Sequence, residues 1–142
     1  MAEILHQLSI KASPTNVYQA LTEQKGLANW WTRHAKAEPL VNSVAQFTFD
    51  HGQVIFRMKI LKLIPNRMVV WHCLGGHPEW NDTQIVFELA PASKTGVSVL
   101  NFSHSRWRRT DGILPKCSFD WAHYLASLRA YLEKGRGYPV RD

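Results

Sequence analysis

The chain has 142 residues, 45% of them hydrophobic and 20% charged, and carries a formal net charge of +6. This length fits a single domain, residues 1–142, with a core of its own. Membrane insertion is excluded because no apolar run approaches the ~20 residues that a bilayer-spanning helix needs. The N-terminus lacks the basic-then-apolar pattern of a signal peptide, so the expected compartment is the cytoplasm.

The first predicted elements are a strand and two short helices. Apolar and polar residues alternate over Glu3–Lys11, which is typical of a half-buried strand. Ser13 is a favourable N-cap and Pro14 a favourable first helical residue, so a helix is predicted to begin there. Gly26 is expected to end this helix, and Leu27–Trp31 to form a second short helical turn.

Strands dominate the middle of the chain. Alternating apolar residues separated by turn signals such as Asp50-His51-Gly52 predict a meander. Its strands are predicted at Ser43–Phe49, Val54–Ile60, Met68–Leu74, Thr83–Leu89 and Val97–His104. Hairpin-length connections make neighbouring strands antiparallel. Arg33–Asn42 and Ser105–Lys116 are predicted to be irregular.

One long amphipathic helix closes the chain. It is predicted over Cys117–Lys134 and ends at Gly135. Its apolar stripe consists of Trp121, Leu125, Leu128 and Leu132. A helix of about 27 Å is long enough to cross a sheet. The predicted fold class is therefore α+β, with a curved antiparallel sheet wrapped around the C-terminal helix and a cavity between them.

Several motifs in this order resemble a known family. They are Ile10–Pro14, Val17–Thr22, Gly26–Thr32, Trp80, Val86–Leu89, Gly96-Val97, Cys117–Trp121 and Ser127–Gly135. Together they resemble the SRPBCC or START-like helix-grip superfamily, and within it the family named after the activator of the heat-shock-protein-90 ATPase. The resemblance implies the helix-grip fold. It implies no single activity, because the superfamily contains lipid carriers, polyketide cyclases and hydrolase-like members.

A co-chaperone role is not implied by this resemblance. The founding co-chaperones have a separate N-terminal domain that helps to bind the chaperone. In this chain the domain is expected to start near residue 3. A chaperone-linked interaction protein is therefore kept only as an alternative.

The aromatic residues give the main functional signal. Six tryptophans are spread over different predicted elements. An apolar cavity is predicted to be lined by Phe56, Met58, Trp71, Phe87, Phe102, Trp121 and Leu125. Trp30, Trp31 and Trp107 are expected near its mouth. His104, Tyr124 and either Arg57 or Asn101 are the candidate polar contacts. The alternative is that these side chains only fill the core.

Known catalytic and cofactor motifs are missing. His72, Cys73 and His77 match no familiar zinc spacing, and there is neither a Gly-x-Ser-x-Gly elbow nor a phosphate loop. We therefore expect no metal and no cofactor. His72 and Cys73 should point to opposite faces of a strand, and Cys73 and Cys117 are expected to be free thiols.

These observations favour a binding module for a small hydrophobic or amphipathic ligand, without covalent chemistry. The first alternative is a cyclase- or hydratase-like enzyme that uses His104 or Tyr124 to move protons. The second is an interaction protein that docks to an acidic partner through Arg106, Trp107, Arg108 and Arg109. Nucleic-acid binding is not expected because no recognition helix is visible. An exposed edge strand makes a homodimer a further expectation.

Overall fold

The computed structural model describes residues 2–141, which form one antiparallel sheet and three α-helices. The elements in chain order are β1 (Ala2–Ile10), α1 (Pro14–Thr22), α2 (Gln24–Trp30), β2 (Ala35–Lys36), β3 (Val44–Phe49), β4 (Val54–Ile64), β5 (Met68–Gly75), β6 (Gln84–Pro91), β7 (Ser98–Trp107) and α3 (Leu114–Lys134). The described strands form a seven-stranded sheet in the order β1-β7-β6-β5-β4-β3-β2. The predicted curved sheet with a long C-terminal helix is confirmed.

The helical segment after β1 departs from the prediction at Gly26. Ser13 caps α1 as predicted, since its hydroxyl accepts the Asn16 N–H at 3.2 Å. However, α1 ends at Thr22, and Glu23 is extended between the two helices. Gly26 lies inside α2, where a Cβ atom would stand 2.7 Å from the Cα of Ala20. Gly26 therefore permits close contact between the helices and does not terminate one.

Two segments predicted as irregular contain residues in regular secondary structure. Ala35–Lys36 forms the short strand β2, which pairs with Phe47 and Gln46 of β3. The second segment, predicted at Ser105–Lys116, is irregular over fewer residues than expected. At its start β7 continues past His104 to Trp107, and at its end α3 already begins at Leu114. Pro115 in the first turn of α3 suits that start, since proline lacks an N–H that the helix would leave unpaired.

A β-bulge explains why Trp107 is not in a surface loop. The register between β1 and β7 shifts between Ala2, opposite Trp107, and Ile4, opposite His104. Arg106 adopts a left-handed φ of 68° at this point. The extra residue breaks the alternation, so Trp107 lies on the same buried side as His104. Its indole N–H donates to the His104 carbonyl at 3.0 Å.

The apolar stripe of α3 is confirmed, although its last residue, Leu132, is only partly buried. Trp121, Leu125 and Leu128 are each at most 2% exposed. The helix ends at Gly135, whose φ of 80° is left-handed and whose N–H donates to the Tyr131 carbonyl. A left-handed residue at this position favours glycine, as the sequence predicted.

Aromatic rings fill most of the space between α3 and the sheet. Trp71 contacts Phe87 with ring centroids 5.0 Å apart, and Phe87 contacts Phe102 at 5.3 Å. Phe102 in turn contacts Trp121 of α3 at 4.5 Å. These aromatic contacts pack the centre of the sheet against the helix.

Further features of residues 2–141 concern the predictions on disulfides, metal binding and membrane insertion. Both cysteines are free thiols, as predicted, and both are buried. His72 is partly exposed while Cys73 is buried, which confirms that they face opposite sides of β5. No cluster of three potential metal-ligating residues occurs among the described side chains. None of the helices in this range has both the length and the hydropathy required to cross a bilayer.

Candidate functional site

An apolar cleft of about 380 Å³ lies between the first half of α3, the β3–β4 hairpin and the segment before β6. Its walls are mostly aromatic, and its charged residues come from α3. The lining residues are Trp31, Phe49, Val54, Phe56, His77, Trp80, Ile113, Lys116, Cys117, Asp120, Trp121 and Tyr124.

The β3–β4 hairpin supplies one wall of the cleft. Phe49 and Val54 are paired across the two strands, on either side of the turn. Asp50 and His51 take left-handed φ angles of 54° and 55° in this turn. Phe49 meets Phe56 edge to face at 5.7 Å, and Phe56 meets Trp80 at 4.3 Å. The tight turn thereby places a continuous aromatic surface at this end of the sheet.

The segment before β6 is fixed to the start of α3. A Glu79 carboxylate oxygen accepts the Ile113 N–H at 3.1 Å, which satisfies a donor that the helix start would otherwise leave unpaired. The Trp80 indole N–H lies 3.3 Å from the Cys117 sulfur. These two contacts fix the position of the segment before β6 relative to the start of α3.

Trp31 is the most unusual residue of the cleft wall. Its side chain is 0% exposed and contacts Phe47 at 4.3 Å and Trp121 at 5.2 Å. Within residues 2–141 its buried indole nitrogen has no hydrogen-bond partner. A buried polar group without a partner costs about 1–3 kcal/mol. The cleft wall therefore contains an unsatisfied hydrogen-bond donor.

Tyr124 is a second polar group of the cleft and lies beside Trp31, with ring centroids 5.9 Å apart. Burial, with smaller contributions from Asp120 and Cys117, raises the Tyr124 pKa to about 12. The Trp31 indole partly offsets this rise in pKa, although it does not reach hydrogen-bond geometry. Tyr124 is thus a neutral phenol near pH 7 and can donate a hydrogen bond.

The charged side of the cleft is formed by one ion pair. Lys116 and Asp120 lie one turn apart on α3, with Nζ and Oδ2 separated by 2.6 Å. The Lys116 side chain is 74% exposed and the Asp120 side chain 31%. On the other side, His77 accepts the Glu79 N–H through Nδ1 at 3.0 Å. The cleft therefore combines an apolar interior with a polar boundary that is partly exposed to solvent.

His104 faces inward as predicted, but it does not line the cleft. The Thr83 hydroxyl donates to the Trp80 carbonyl at 2.6 Å, so it accepts the His104 Nε2–H at 2.8 Å. The remaining nitrogen, Nδ1, then accepts the Trp121 indole N–H at 3.1 Å. Burial lowers the His104 pKa to about 3, which leaves a neutral imidazole with both nitrogens occupied.

The structure brings together four of the predicted ligand-binding residues. Trp31, Phe56, Trp121 and Tyr124 line the cleft. The others lie in the surrounding core and not on the cleft surface, namely Trp30, Met58, Trp71, Phe87, Phe102, His104, Trp107 and Leu125. Arg57 and Asn101, considered as polar contacts, are exposed. Alternation identifies the inward face of a strand, but it does not locate the part of that face that the helix leaves uncovered.

The sequence prediction missed the rest of the lining. Phe49 and Val54 flank a recognisable turn signal, and Trp80 is a large aromatic residue in a predicted loop. These features could have indicated an aromatic hairpin end. Ile113, Lys116 and Asp120 could not have been placed, because they depend on where α3 begins relative to the hairpin.

Two arginines of the predicted docking surface for an acidic partner, Arg108 and Arg109, make hydrogen bonds within the chain. Arg108 donates to the carbonyls of Asn81 and Pro78 at 2.7 and 2.8 Å. Arg109 pairs with Asp111 at 2.8 Å. Two of the three arginines therefore stabilise nearby loops, which reduces the charge available to an acidic partner.

Comparison with known proteins identifies relatives that cover most of the chain. A solution structure from Colwellia psychrerythraea, described as an Aha1 dimer, is 38% identical and covers 96% of this chain and 100% of its own, with a TM-score of 0.87. Protein MLL2253 from Mesorhizobium loti is 18% identical, covering 94% and 98%, with a TM-score of 0.81. Protein CV1439 from Chromobacterium violaceum is 24% identical, covering 92% and 96%, with a TM-score of 0.73. The latter two similarities establish the fold alone.

No curated protein matches the chain. The model of one protein family, described as Activator of Hsp90 ATPase homolog 1-like protein, matches residues 11–133. This match covers most of the domain, from the end of β1 to the end of α3, and agrees with the Colwellia relative. The chain belongs to the Activator of Hsp90 ATPase homolog 1-like family.

Proposed function

We propose that the protein binds a small apolar or amphipathic molecule in the cleft between α3 and the β3–β4 hairpin, without covalent chemistry. The observation that carries the proposal is an aromatic cleft of about 380 Å³, within the size range of small-molecule sites. Its walls suit a flat hydrocarbon skeleton, because aromatic rings contribute large apolar contact areas. A polar end of the ligand would lie towards Lys116 and Asp120.

An enzymatic role has less support. His104 and Tyr124 were the candidates for proton transfer, but His104 is buried outside the cleft and has a pKa of about 3. The raised pKa of Tyr124, about 12, keeps its phenol protonated near pH 7, so the tyrosinate that could act as a base is not populated. Burial also raises the pKa of the Cys117 thiol, which disfavours the nucleophilic thiolate. Tyr124 is therefore better suited to hydrogen bonding than to proton transfer.

The proposal can be tested with 8-anilinonaphthalene-1-sulfonate and a variant whose cleft is filled. Val54→Trp introduces a large side chain at the cleft wall, where an aromatic residue is compatible with a strand. We expect the wild-type protein to bind one dye molecule per chain saturably, and Val54→Trp to weaken that binding at least about tenfold. Dye fluorescence and calorimetry measure both affinities.

Val44→Trp is the matched control. Val44 lies on the same hairpin but is 47% exposed and does not line the cleft. This variant should bind the dye as the wild-type protein does. Equal binding by wild type and Val54→Trp would place the dye elsewhere and would refute the proposed site.

We also propose that the protein forms a homodimer. The Colwellia relative, at 38% identity, is described as a dimer. In this chain β1 ends the sheet along nine residues, whereas the opposite end is the two-residue β2. A long outer strand presents backbone groups that can pair with a second chain. Leu5, 63% exposed on β1, would add apolar contact area.

A further inference from the structure

We propose that the ligand of the cleft carries a neutral hydrogen-bond acceptor, of the ketone or quinone type, which accepts the indole N–H of Trp31. This inference rests on the proposed function and specifies the chemical class of the ligand. The observation behind it is the one buried side-chain donor that lacks a partner within residues 2–141.

Three other tryptophan indoles near the cleft have hydrogen-bond acceptors, whereas the Trp31 indole has none within the described residues. Trp30 donates to the Ala20 carbonyl at 2.8 Å, and Trp121 donates to His104 at 3.1 Å. Trp80 is directed to the Cys117 sulfur at 3.3 Å. Trp31 is as deeply buried as these residues and lines the cleft, yet its indole N–H has no hydrogen-bond acceptor within residues 2–141, since the neighbouring Tyr124 does not reach hydrogen-bond geometry.

The acceptor is expected to be neutral. Lys116 is the cation of the cleft lining, and it is already paired with Asp120. Placing a carboxylate beside the buried Trp31 would therefore cost much more than placing a carbonyl there. A carbonyl oxygen has two lone pairs, so it can also receive the hydroxyl of Tyr124, which stays protonated near pH 7.

The surrounding rings define the rest of the ligand. Trp31 is tilted against Trp121 at 5.2 Å, and Phe49 meets Trp31 at 5.7 Å. An acceptor close to Trp31 is thus flanked by aromatic surfaces, which favour a flat hydrocarbon frame. The ligand class is an aromatic or partly aromatic ketone.

The test compares 1-tetralone with tetralin, which share a bicyclic skeleton and differ by a carbonyl in place of a methylene. We expect the wild-type protein to bind 1-tetralone at least about fivefold more tightly, the effect of roughly one net hydrogen bond. In NMR spectra, the Trp31 indole N–H resonance should move downfield with 1-tetralone and not with tetralin.

Trp31→Phe removes the donor and keeps an aromatic ring. It should bind tetralin much as the wild type does and lose the preference for 1-tetralone. Trp30→Phe is the matched control, since Trp30 is an adjacent buried tryptophan that does not line the cleft, and it should retain the preference. If Trp31→Phe does not fold, the indole resonance of the wild-type protein decides the question.

The possible results separate the two proposals. Equal affinities for the two compounds, or an unchanged Trp31 resonance, would overturn the inference and leave the binding function intact. A water molecule that stays in contact with the Trp31 N–H in the 1-tetralone complex would also overturn it. If neither compound binds, the proposed function and this inference both fail.

Discussion

At the scale of single residues, the most informative side chain is His104. It is 0% exposed and links Thr83 of the loop before β6 to Trp121 of α3. Such a chain of hydrogen bonds joins the sheet to the helix only while the imidazole is neutral, because a protonated Nδ1 cannot accept the Trp121 N–H. The network therefore makes the packing of α3 sensitive to acid.

The first prediction concerns this pH dependence. The His104 pKa is lowered from 6.5 to about 3 in the folded protein, so between these values the unfolded chain binds more protons. Stability is fully present above pH 6.5 and falls as the pH is lowered through this window. Between pH 6.5 and 5 the loss due to His104 should be about 1.5 kcal/mol, measured by urea denaturation.

The control for this prediction is His104→Gln, which does not titrate. This variant is expected to be less stable at pH 7, because the glutamine amide does not place a donor and an acceptor where the two imidazole nitrogens meet Thr83 and Trp121. Its stability should decline less between pH 6.5 and 5 than that of the wild-type protein. Equal declines would show that His104 does not carry the acid sensitivity.

At the scale of secondary structure elements, the close contact between α1 and α2 is possible because Gly26 is a glycine and has no Cβ atom. Alternation and capping residues predicted β1 and the start of α1 well, since both depend on neighbours in the sequence. The role of Gly26 was not predictable in the same way. A glycine within a helical pattern looks like a terminator until the tertiary contact with Ala20 is known.

Replacement of Gly26 should therefore be costly although alanine favours helices. In Gly26→Ala the new methyl group would meet backbone atoms of Ala20 at 2.7–3.0 Å, which have little freedom to move. We expect the free energy of unfolding to decrease by about 1–3 kcal/mol, in spite of the gain in helix propensity. Chemical denaturation followed by circular dichroism measures the change.

Gly75→Ala provides the comparison. At Gly75 the atom nearest to the added methyl group would be Asn81 Oδ1 at 3.9 Å, an ordinary contact. This variant should change stability by less than about 1 kcal/mol. A loss in Gly26→Ala no larger than that in Gly75→Ala would contradict the role assigned to the helix contact.

At the scale of the whole molecule, the position of the cleft follows from where the core is filled. The sequence predicted a helix across a sheet and an aromatic interior, and both are observed. The sequence could not show which aromatic side chains fill the core and which line the cleft. That difference depends on tertiary contacts, such as those of Trp71 with Trp31 and of Phe87 with Trp121. Phe56 lies in the cleft wall because the β3–β4 hairpin places its ring between those of Phe49 and Trp80.

The proposed homodimer gives the prediction for the intact molecule. Light scattering after size-exclusion chromatography should report a molar mass of twice the 16.3 kDa of one chain. Leu5→Lys, on the outer strand β1, should shift the mass towards 16.3 kDa, since a lysine on an edge strand opposes pairing. Leu74→Lys, an exposed substitution on an inner strand, should remain dimeric. A wild-type mass of one chain would refute the dimer.

The binding of an apolar molecule in the cleft is tested most directly by intermolecular nuclear Overhauser effects between bound tetralin and the protein. Binding in the cleft predicts contacts from tetralin to the rings of Phe49, Phe56 and Trp121. Contacts confined to exposed side chains such as Leu5 and Leu74, or no contacts at all, would contradict it.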